Sequence, residues 1–437
     1  MWPYHPDLLS VPVPRYTSFP TAAEFSDGIC EADYHAALER AEGDVSLYLH
    51  IPFCEKICWY CGCNTGAANR KHRLNSYLDA LHREIELVAE RLPASSRVHR
   101  IAFGGGSPNA IAPTDFVRLM DALTLHFHLA DPVVSIELDP RTLDESWGQV
   151  IAGVGVTHAS MGVQTFAPRL QEAIGRVQPL ADIARSVAML RQAGISSMNF
   201  DLMYGLPGQT ADDLAETLAL TVDFGADRIA LFGYAHVPHI IPRQRRIDAS
   251  GLPGQDARFR MAEQGFQHLV GAGYAPVGFD HFARADDPLA IAAQDGSLRR
   301  NFQGFTEDQA PVLVGLGASA ISSFPELLAQ QEKNSGRYRM LLSQDRLAAN
   351  RGLRRSPEDR RRGKVIEQLL CQGEARIDRD LQQEAQPRLA PFVERGLTAF
   401  DGDRLRIAPE GLPYARTIAA QFDPYRQDSL TRFSSAV

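Results

Sequence analysis

The 437-residue chain contains no run of about 18 apolar residues, so nothing in it reads as a membrane-spanning helix. Its start, MWPYHPDLLSVPVPR, lacks a basic segment followed by an apolar one and does not read as a secretory leader. Basic residues are not in excess: 45 Lys and Arg against 53 Asp and Glu give a net charge of −8. General nucleic-acid binding needs a basic surface to neutralise phosphates and is not expected. Internal repeats and low-complexity tracts are absent. Cysteine is scarce, at six residues. Without export, clustered cysteines point to reduced thiols and a metal rather than disulfides. A cytoplasmic protein is the expectation.

What cysteine there is, is concentrated. Cys54, Cys58, Cys61 and Cys63 fall within ten positions, in the stretch LYLHIPFCEKICWYCGCNT at 47–65. Packing does not explain that density. The first three form a C-x3-C-x2-C triplet. In a cubane cluster of four irons, three thiolates leave one iron open to a substrate or cofactor. Structural zinc is the alternative, since thiolates on a short loop suit it too. A single-loop zinc site normally recruits a second Cys or His pair, and Cys30 and Cys371 stand alone. They read as buried or incidental thiols. Cys63 lies too near Cys61 to make an easy fourth corner.

Length suggests two or three domains at about 150 residues each, and an apolar share of 44% is enough for a large core. Residues 1–44 are proline-rich and read as an extended arm with one short helix near 34–42. Strand-like runs follow at 46–51, 100–104, 133–138, 159–164, 197–203 and 228–233. Helical patterns lie between them, near 72–91, 113–127, 141–152, 179–193 and 209–224. That alternation predicts a parallel sheet in an α/β fold. Six units suggest a partial, open (β/α)6 barrel, with its extension spanning 45–308. The remainder, 309–437, predicts helices at 360–370 and 378–395, then a hairpin at Asp401-Gly402. This winged-helix-like order, in an acidic chain, reads as a packing or lid domain.

In such barrels the chemistry sits at the C-terminal strand ends. His50 and the cysteines follow the first expected strand, and the run Gly104-Gly105-Gly106-Ser107 the second. Glu137 and Asp139 end the third, Gln164 the fourth; Asp201 lies in the fifth; Ala235 and His236 follow the sixth. Strand ends also carry glycine and polar residues simply because turns need them. Glycine lets a ligand approach the backbone, and Glu137 could bond ribose hydroxyls. Of the arginines, RQRR at 243–246, Arg299-Arg300 and RRR at 360–362 stand out; a solvated charged face is the plain reading, and it is preferred for 360–362. Arg15, Arg176 and Arg284 stand in less charged surroundings and suit bidentate bonds to a carboxylate.

The triplet, the glycine run and the partial barrel together resemble the radical S-adenosylmethionine enzymes. PRYTSFPTA (14–22), YLHIPFCEKICWYCGC (48–63), FGGGSP (103–108), SIELDP (135–140), SMGVQTF (160–166), NFDLMYGLPGQT (199–210), FGYAHVP (232–238), FDHFARADD (279–287), RNFQGF (300–305) and GLGASAIS (315–322) narrow the resemblance. Along nearly its whole length the chain resembles the oxygen-independent coproporphyrinogen III oxidase family. The resemblance implies decarboxylation of two propionates of coproporphyrinogen III to vinyl groups, giving protoporphyrinogen IX, through a 5′-deoxyadenosyl radical. It implies a 4Fe-4S cluster on Cys54, Cys58 and Cys61 and two molecules of S-adenosylmethionine. Tyr48, Gly105, Glu137 and Ile321 would contact the first, with Tyr48 and Glu137, and also Cys63, serving catalysis. Tyr60, Gly106, Ser107, Gln164, Arg176, Asp201 and Ala235 would contact the second. Arg15 is the leading candidate for a substrate carboxylate. A reducing electron donor is required, and a monomer with no nucleic-acid or membrane partner is expected. Phe103, Ser107, Tyr60 and Phe19 depart from the family's usual residues, which bears on fine contacts and not on reaction class. The alternative within the superfamily is a haem-binding chaperone; the PRYTS-type arm and Cys63 favour the oxidase. A zinc-stabilised winged-helix regulator is the alternative outside it.

Overall fold

The computed structural model describes residues 1–68 and 71–426. Its centre is a sheet of parallel strands: β1 (Asp44–Ile51), β2 (Arg97–Gly105), β3 (Leu129–Leu138), β4 (His158–Gln164), β5 (Ser197–Tyr204) and β6 (Arg228–Gly233). They are neighbours in sequence order. Helices α1 (Lys71–Ala89), α2 (Pro113–His126), α3 (Glu145–Gly153), α4 (Leu180–Gln192) and α5 (Ala211–Asp223) lie between them in the chain. Helices covering a parallel sheet leave long apolar runs buried along each strand. β1 shows this, with Val45, Leu47, Leu49 and Ile51 all fully buried. Local signals set the helix starts. Thr210 accepts from the Asp213 N–H and closes a reciprocal capping box at the head of α5.

A seventh parallel strand, absent from the sequence expectation, pairs with β1 on its other side. Helix α6 (Gln255–Gly271) and the antiparallel strands β7 (Tyr274–Val277) and β8 (His281–Arg284) follow β6 in the chain, and β8 pairs with β6. Then β9 (Val312–Leu316) returns to β1 in the register Val45↔Val312 to Leu49↔Leu316. The chain turns back from it as β10 (Ile321–Ser323), β11 (Leu327–Gln331) and β12 (Ala349–Arg354), all antiparallel. No crossover helix follows β9, so the alternation that exposed the other strands was missing here. The main sheet thus runs on past residue 308. Its order, β12-β11-β10-β9-β1-β2-β3-β4-β5-β6-β8-β7, leaves two edges and an open barrel.

The C-terminal module has its own core. Helices α7 (Pro357–Gln372) and α8 (Arg379–Glu394) pack with a small antiparallel sheet of β13 (Glu374–Arg376), β14 (Thr398–Asp401) and β15 (Arg404–Ile407). Gly402, at φ +63°, makes the expected hairpin turn. The arm belongs to this core. Leu9, Val13, Tyr16 and Phe19 are buried with Val365, Ile366 and Leu369, and Phe259 of α6 joins them. Tyr16 Oη donates to Asp423 Oδ2 at 3.0 Å. The arm therefore ties barrel to module.

One buried carboxylate fixes the turn after β9 against the end of β1. Glu84 of α1 is fully buried and accepts from the Gly317 N–H and the Tyr338 hydroxyl, both at 2.6 Å. Tyr77 beside it donates to the His50 carbonyl at 2.7 Å and accepts from the Ala318 N–H at 3.0 Å. Burial pushes the Glu84 carboxyl up to about 7. The native state then binds a proton the unfolded chain has released. Stability from this group is present below about pH 4.5 and is lost as pH rises toward 7, on the order of 3 kcal/mol in all. Glu84→Gln keeps an acceptor and removes the charge. It should flatten that slope and leave the protein at least as stable as wild type at pH 8, read by denaturant titration at pH 5 and 8. Glu84→Leu strands two buried donors and should cost about 2–5 kcal/mol.

Candidate functional site

The rim formed by the C-terminal ends of β1 to β6 and β9 is where the glycine run and the cysteine loop meet. The Gly106 N–H donates to the Ile51 carbonyl at 2.9 Å and the Ser107 N–H to the Phe53 carbonyl at 2.8 Å. A Cβ on Gly106 would lie 2.5 Å from the Phe53 oxygen. Only glycine permits that approach, and it anchors the backbone that leads into Cys54. Gly106→Ala should cost about 1–3 kcal/mol through overpacking. Because the displaced atoms belong to the cysteine loop, iron content of the reconstituted protein should fall as well.

Cys58 is buried, and its sulfur accepts from Arg176 Nη1 at 3.2 Å and Arg141 Nη2 at 3.3 Å. Asp139 holds both guanidiniums, with Arg141 Nη2 at 2.5 Å and Arg176 Nη2 at 3.5 Å. Burial opposes ionisation of Asp139, but the two arginines outweigh it and hold its carboxyl below the usual range. Burial, then the neighbouring Cys61 and Cys58, pushes the Cys54 thiol up to about 12. Cys61 accepts from the thiol and from the backbone N–H of Cys63, the latter at 3.4 Å, and is brought down to about 6 against the effect of burial. Among the described residues, no three Cys, His, Asp or Glu side chains converge at the spacing of a single ion. The fit to an iron–sulfur cluster rests on donor chemistry. Crowded thiols penalise one another's ionisation until a cationic centre joins them, and the arginine N–H groups aimed at Cys58 suit a coordinated thiolate.

Tyr48 and Glu137 stand on neighbouring rim positions. Glu137 accepts from the Gly105 N–H at 3.0 Å, and burial pushes its carboxyl up to about 7. Its surface is nevertheless accessible, as is that of Cys63, so both border open space within the protein. Tyr48 Oη contacts His50 Nδ1 at 3.2 Å, and His50 Nε2 contacts Ser319 Oγ at 3.3 Å. Burial brings His50 down to about 4, which leaves it neutral. Ile321 opens β10 where the chain turns back from β9, so it shares this rim.

Gln164, Arg176 and Asp201 form the opposite side. Gln164 follows a bulge in β4 and holds φ at +67°, in the left-handed region. Gly162 makes room for it: a Cβ there would lie 2.7 Å from Gln164 Nε2 and 3.0 Å from Arg176 Nη2. Arg176 Nε donates to the Gly162 carbonyl at 2.9 Å and to Gln178 Oε1 at 3.1 Å. Asp201 accepts from Asn199 Nδ2 at 2.9 Å and Ser160 Oγ at 3.3 Å. Ser107 Oγ donates to Asn109 Oδ1 at 2.9 Å. The carbonyls of Tyr60 and Ala235 are bridged by Gln244 Nε2, at 2.9 and 3.0 Å. Arg15 reaches the same end of β6, donating to the Gly233 carbonyl at 3.4 Å with its guanidinium 4.8 Å from the Phe232 ring centre.

Arg284 does not join them. It lies on β8, between β6 and the edge strand β7, half-exposed and 3.9 Å from Asp286. Gln244, Arg141 and Gln178 were not singled out from the sequence. Gln244 sits inside PRQRR, where the arginines draw attention, yet it is the glutamine that is buried. A buried glutamine among surface arginines leaves no periodic signal.

A family model described as the radical SAM superfamily matches residues 48–221, and one described as the HemN C-terminal domain matches 356–414. The oxygen-independent coproporphyrinogen III oxidase of Bradyrhizobium diazoefficiens is 41% identical, over 97% of each chain. That of Escherichia coli is 36% identical, over 94% of this chain and 93% of its own. A solved structure of coproporphyrinogen III oxidase from Escherichia coli, described as a radical SAM enzyme, superposes with a TM-score of 0.91 at 34% identity. It covers 97% of this chain and 100% of that one. With relatives of that name 36–41% identical over nearly its whole length and the radical SAM model matching its barrel strands, the chain belongs to the oxygen-independent coproporphyrinogen III oxidase family of radical S-adenosylmethionine enzymes.

Proposed function

We propose that the protein converts coproporphyrinogen III to protoporphyrinogen IX by oxidative decarboxylation of two propionates, without oxygen. The observation that carries the reading is the single rim on which Cys54, Cys58 and Cys61, the Gly105–Ser107 backbone, Glu137, Gln164, Arg176 and Asp201 come together. A 4Fe-4S cluster with S-adenosylmethionine supplies, when bound, a radical able to take hydrogen from an unactivated carbon.

The chain's own residues bind, orient and shield. Cys54, Cys58 and Cys61 hold the cluster, and Arg141 and Arg176 donate toward Cys58. Tyr48, Gly105, Glu137 and Ile321 line the place of one S-adenosylmethionine. Tyr60, Gly106, Ser107, Gln164, Arg176, Asp201 and Ala235 line the place of a second. An amide, a cation and an anion suit a zwitterionic ligand that carries ribose hydroxyls. Cys63 stands beside Cys61 and orders it through a hydrogen bond. A reducing protein or small-molecule donor supplies electrons, and the protein acts as a monomer in the cytoplasm.

Anaerobic incubation of reconstituted protein with coproporphyrinogen III, S-adenosylmethionine and a reductant should form protoporphyrinogen IX with loss of two carbon dioxide molecules per ring. Stable haem binding with no conversion would overturn the reading in favour of a haem carrier.

A further inference from the structure

Cations gather on the outer face of the cysteine loop, in a chain that is net negative. No Asp or Glu occurs from Lys56 to Leu78, and none from Arg228 to Ile247. The fold brings these two stretches together. Arg243 Nη1 donates to Thr65 Oγ1 at 3.3 Å, and Gln244 Nε2 to the Tyr60 carbonyl at 2.9 Å. The Arg246 guanidinium lies 5.6 Å from the Trp59 ring centre. A Cβ on Gly62 would lie 2.8 Å from Ile241 Cδ1. Arg245 and Arg246 are exposed, and among the described residues neither pairs with a carboxylate.

Helix α1 adds to the same face. Its first residue, Lys71, stands six positions past Thr65, and Lys71, His72 and Arg73 are all exposed. A helix N-terminus carries positive partial charge and favours Asp or Glu in its first turn. Helices α2 to α8 each have an acid there, and α1 has none. A local rule broken without a gain in packing points to function. Glu55, Glu172 and Asp248 are the exposed acids nearby in the chain, and Asp248 is bonded to the Ser250 N–H at 2.9 Å.

Apolar side chains stand out in the same place. Ile57, between Cys54 and Cys58, is 36% exposed; Val177, next to Arg176, is 55% exposed; Ile240, next to Ile241, is 53% exposed. Cys58, one residue from Ile57, is buried and accepts from Arg176. The patch therefore lies directly outside the thiols. Apolar residues with a charged surround are the anatomy of a protein interface, and the sign of the charge selects the partner. Electron-transfer encounters are small, below about 1,200 Å² in all, so a patch on one loop and its neighbours suffices. We propose that this face docks an acidic one-electron carrier protein, which supplies the reducing electron next to the cysteine loop. The carrier is oxidised by one electron, the cluster held by Cys54, Cys58 and Cys61 is reduced by one, and no bond forms or breaks. This rests on the function proposed above and gives its electron donor a place and a charge.

The test uses the full-length reconstituted protein, an acidic FMN-containing flavodoxin as the probe, and dithionite as a reductant too small to need docking. Titration with labelled flavodoxin should show binding that weakens as salt rises. In R245E/R246E that binding, and the rate at which reduced flavodoxin bleaches the cluster's visible absorbance, should fall by about tenfold at low salt. R245K/R246K should match wild type in both. Dithionite should bleach variant and wild type alike, with unchanged iron content and an unchanged KM for coproporphyrinogen III. If R245E/R246E does not fold, R245E decides, with an expected loss of about threefold, since Arg245 is exposed and sits on the rim of the patch. Equal flavodoxin binding by R245E and wild type, or no binding by wild type, overturns the docking surface. So does a change confined to the KM for coproporphyrinogen III, which would mark a face that steers substrate. Failure of wild type to convert coproporphyrinogen III overturns the function instead, and the binding titration, which needs no turnover, still judges the surface.

Discussion

Alanine at Cys54, Cys58 or Cys61 will remove the cluster, and alanine at Cys63 will not. For the first three, iron and sulfide content of anaerobically reconstituted protein should drop by at least tenfold and product formation should become undetectable. In the proposed assignment three thiolates of this loop hold the cluster, and a cubane left with two would have lost a third of its protein anchoring. Cys58 should be the most severe. It is buried, and its sulfur is the acceptor for Arg141 and Arg176. Its loss leaves two buried guanidiniums short of a partner, so C58A should also be the least stable of the three. Cys63→Ala should retain iron within a factor of two and yet be slower in turnover, because Cys63 hydrogen-bonds Cys61. Iron loss in C63A equal to that in C61A would show that Cys63 is itself a ligand.

Arg176→Met should cost about 3–5 kcal/mol in denaturant unfolding, the range for removing one partner of a buried, hydrogen-bonded charge network. Arg176 is buried and joins Asp139, Cys58, Gly162 and Gln178. Methionine fills part of the volume and supplies none of those bonds. Turnover should fall at least 100-fold, equivalent to about 2.7 kcal/mol of lost transition-state stabilisation. Arg176→Lys separates the two roles. Its ammonium can still pair with Asp139 but cannot donate along several directions in one plane. R176K should recover more stability than activity. Equal recovery of both would make Arg176 a purely structural residue.

The six strands from β1 to β6 were legible because each pairs a short apolar run with an amphipathic helix. β9 was not, because VLVGL is followed by a turn and an antiparallel strand. A run of buried residues without a crossover helix carries no sign of which neighbour it will pair with. The candidate site divides in the same way. Cys54, Cys58 and Cys61 announce themselves by spacing, and Gly105 and Gly106 by their run after a strand. Arg176 could be named but its partners could not. Its bonds to Cys58 and Gly162 span 118 and 14 residues. Gln244 and Arg141 gave no local pattern, since each acts through a neighbour brought from elsewhere in the chain.

By itself, the sequence determined the cluster motif, the strand–helix alternation and, through ordered motifs along the chain, the family. These are local properties: a spacing within one loop, a period within one helix, a short word at one strand end. Tertiary structure alone decided which charges share a dielectric environment. It set Arg141 and Arg176 on one cysteine sulfur and buried Glu84 between Tyr338 and the turn at Gly317. Electrostatic consequence depends on distance and burial, and neither is a property of position along the chain.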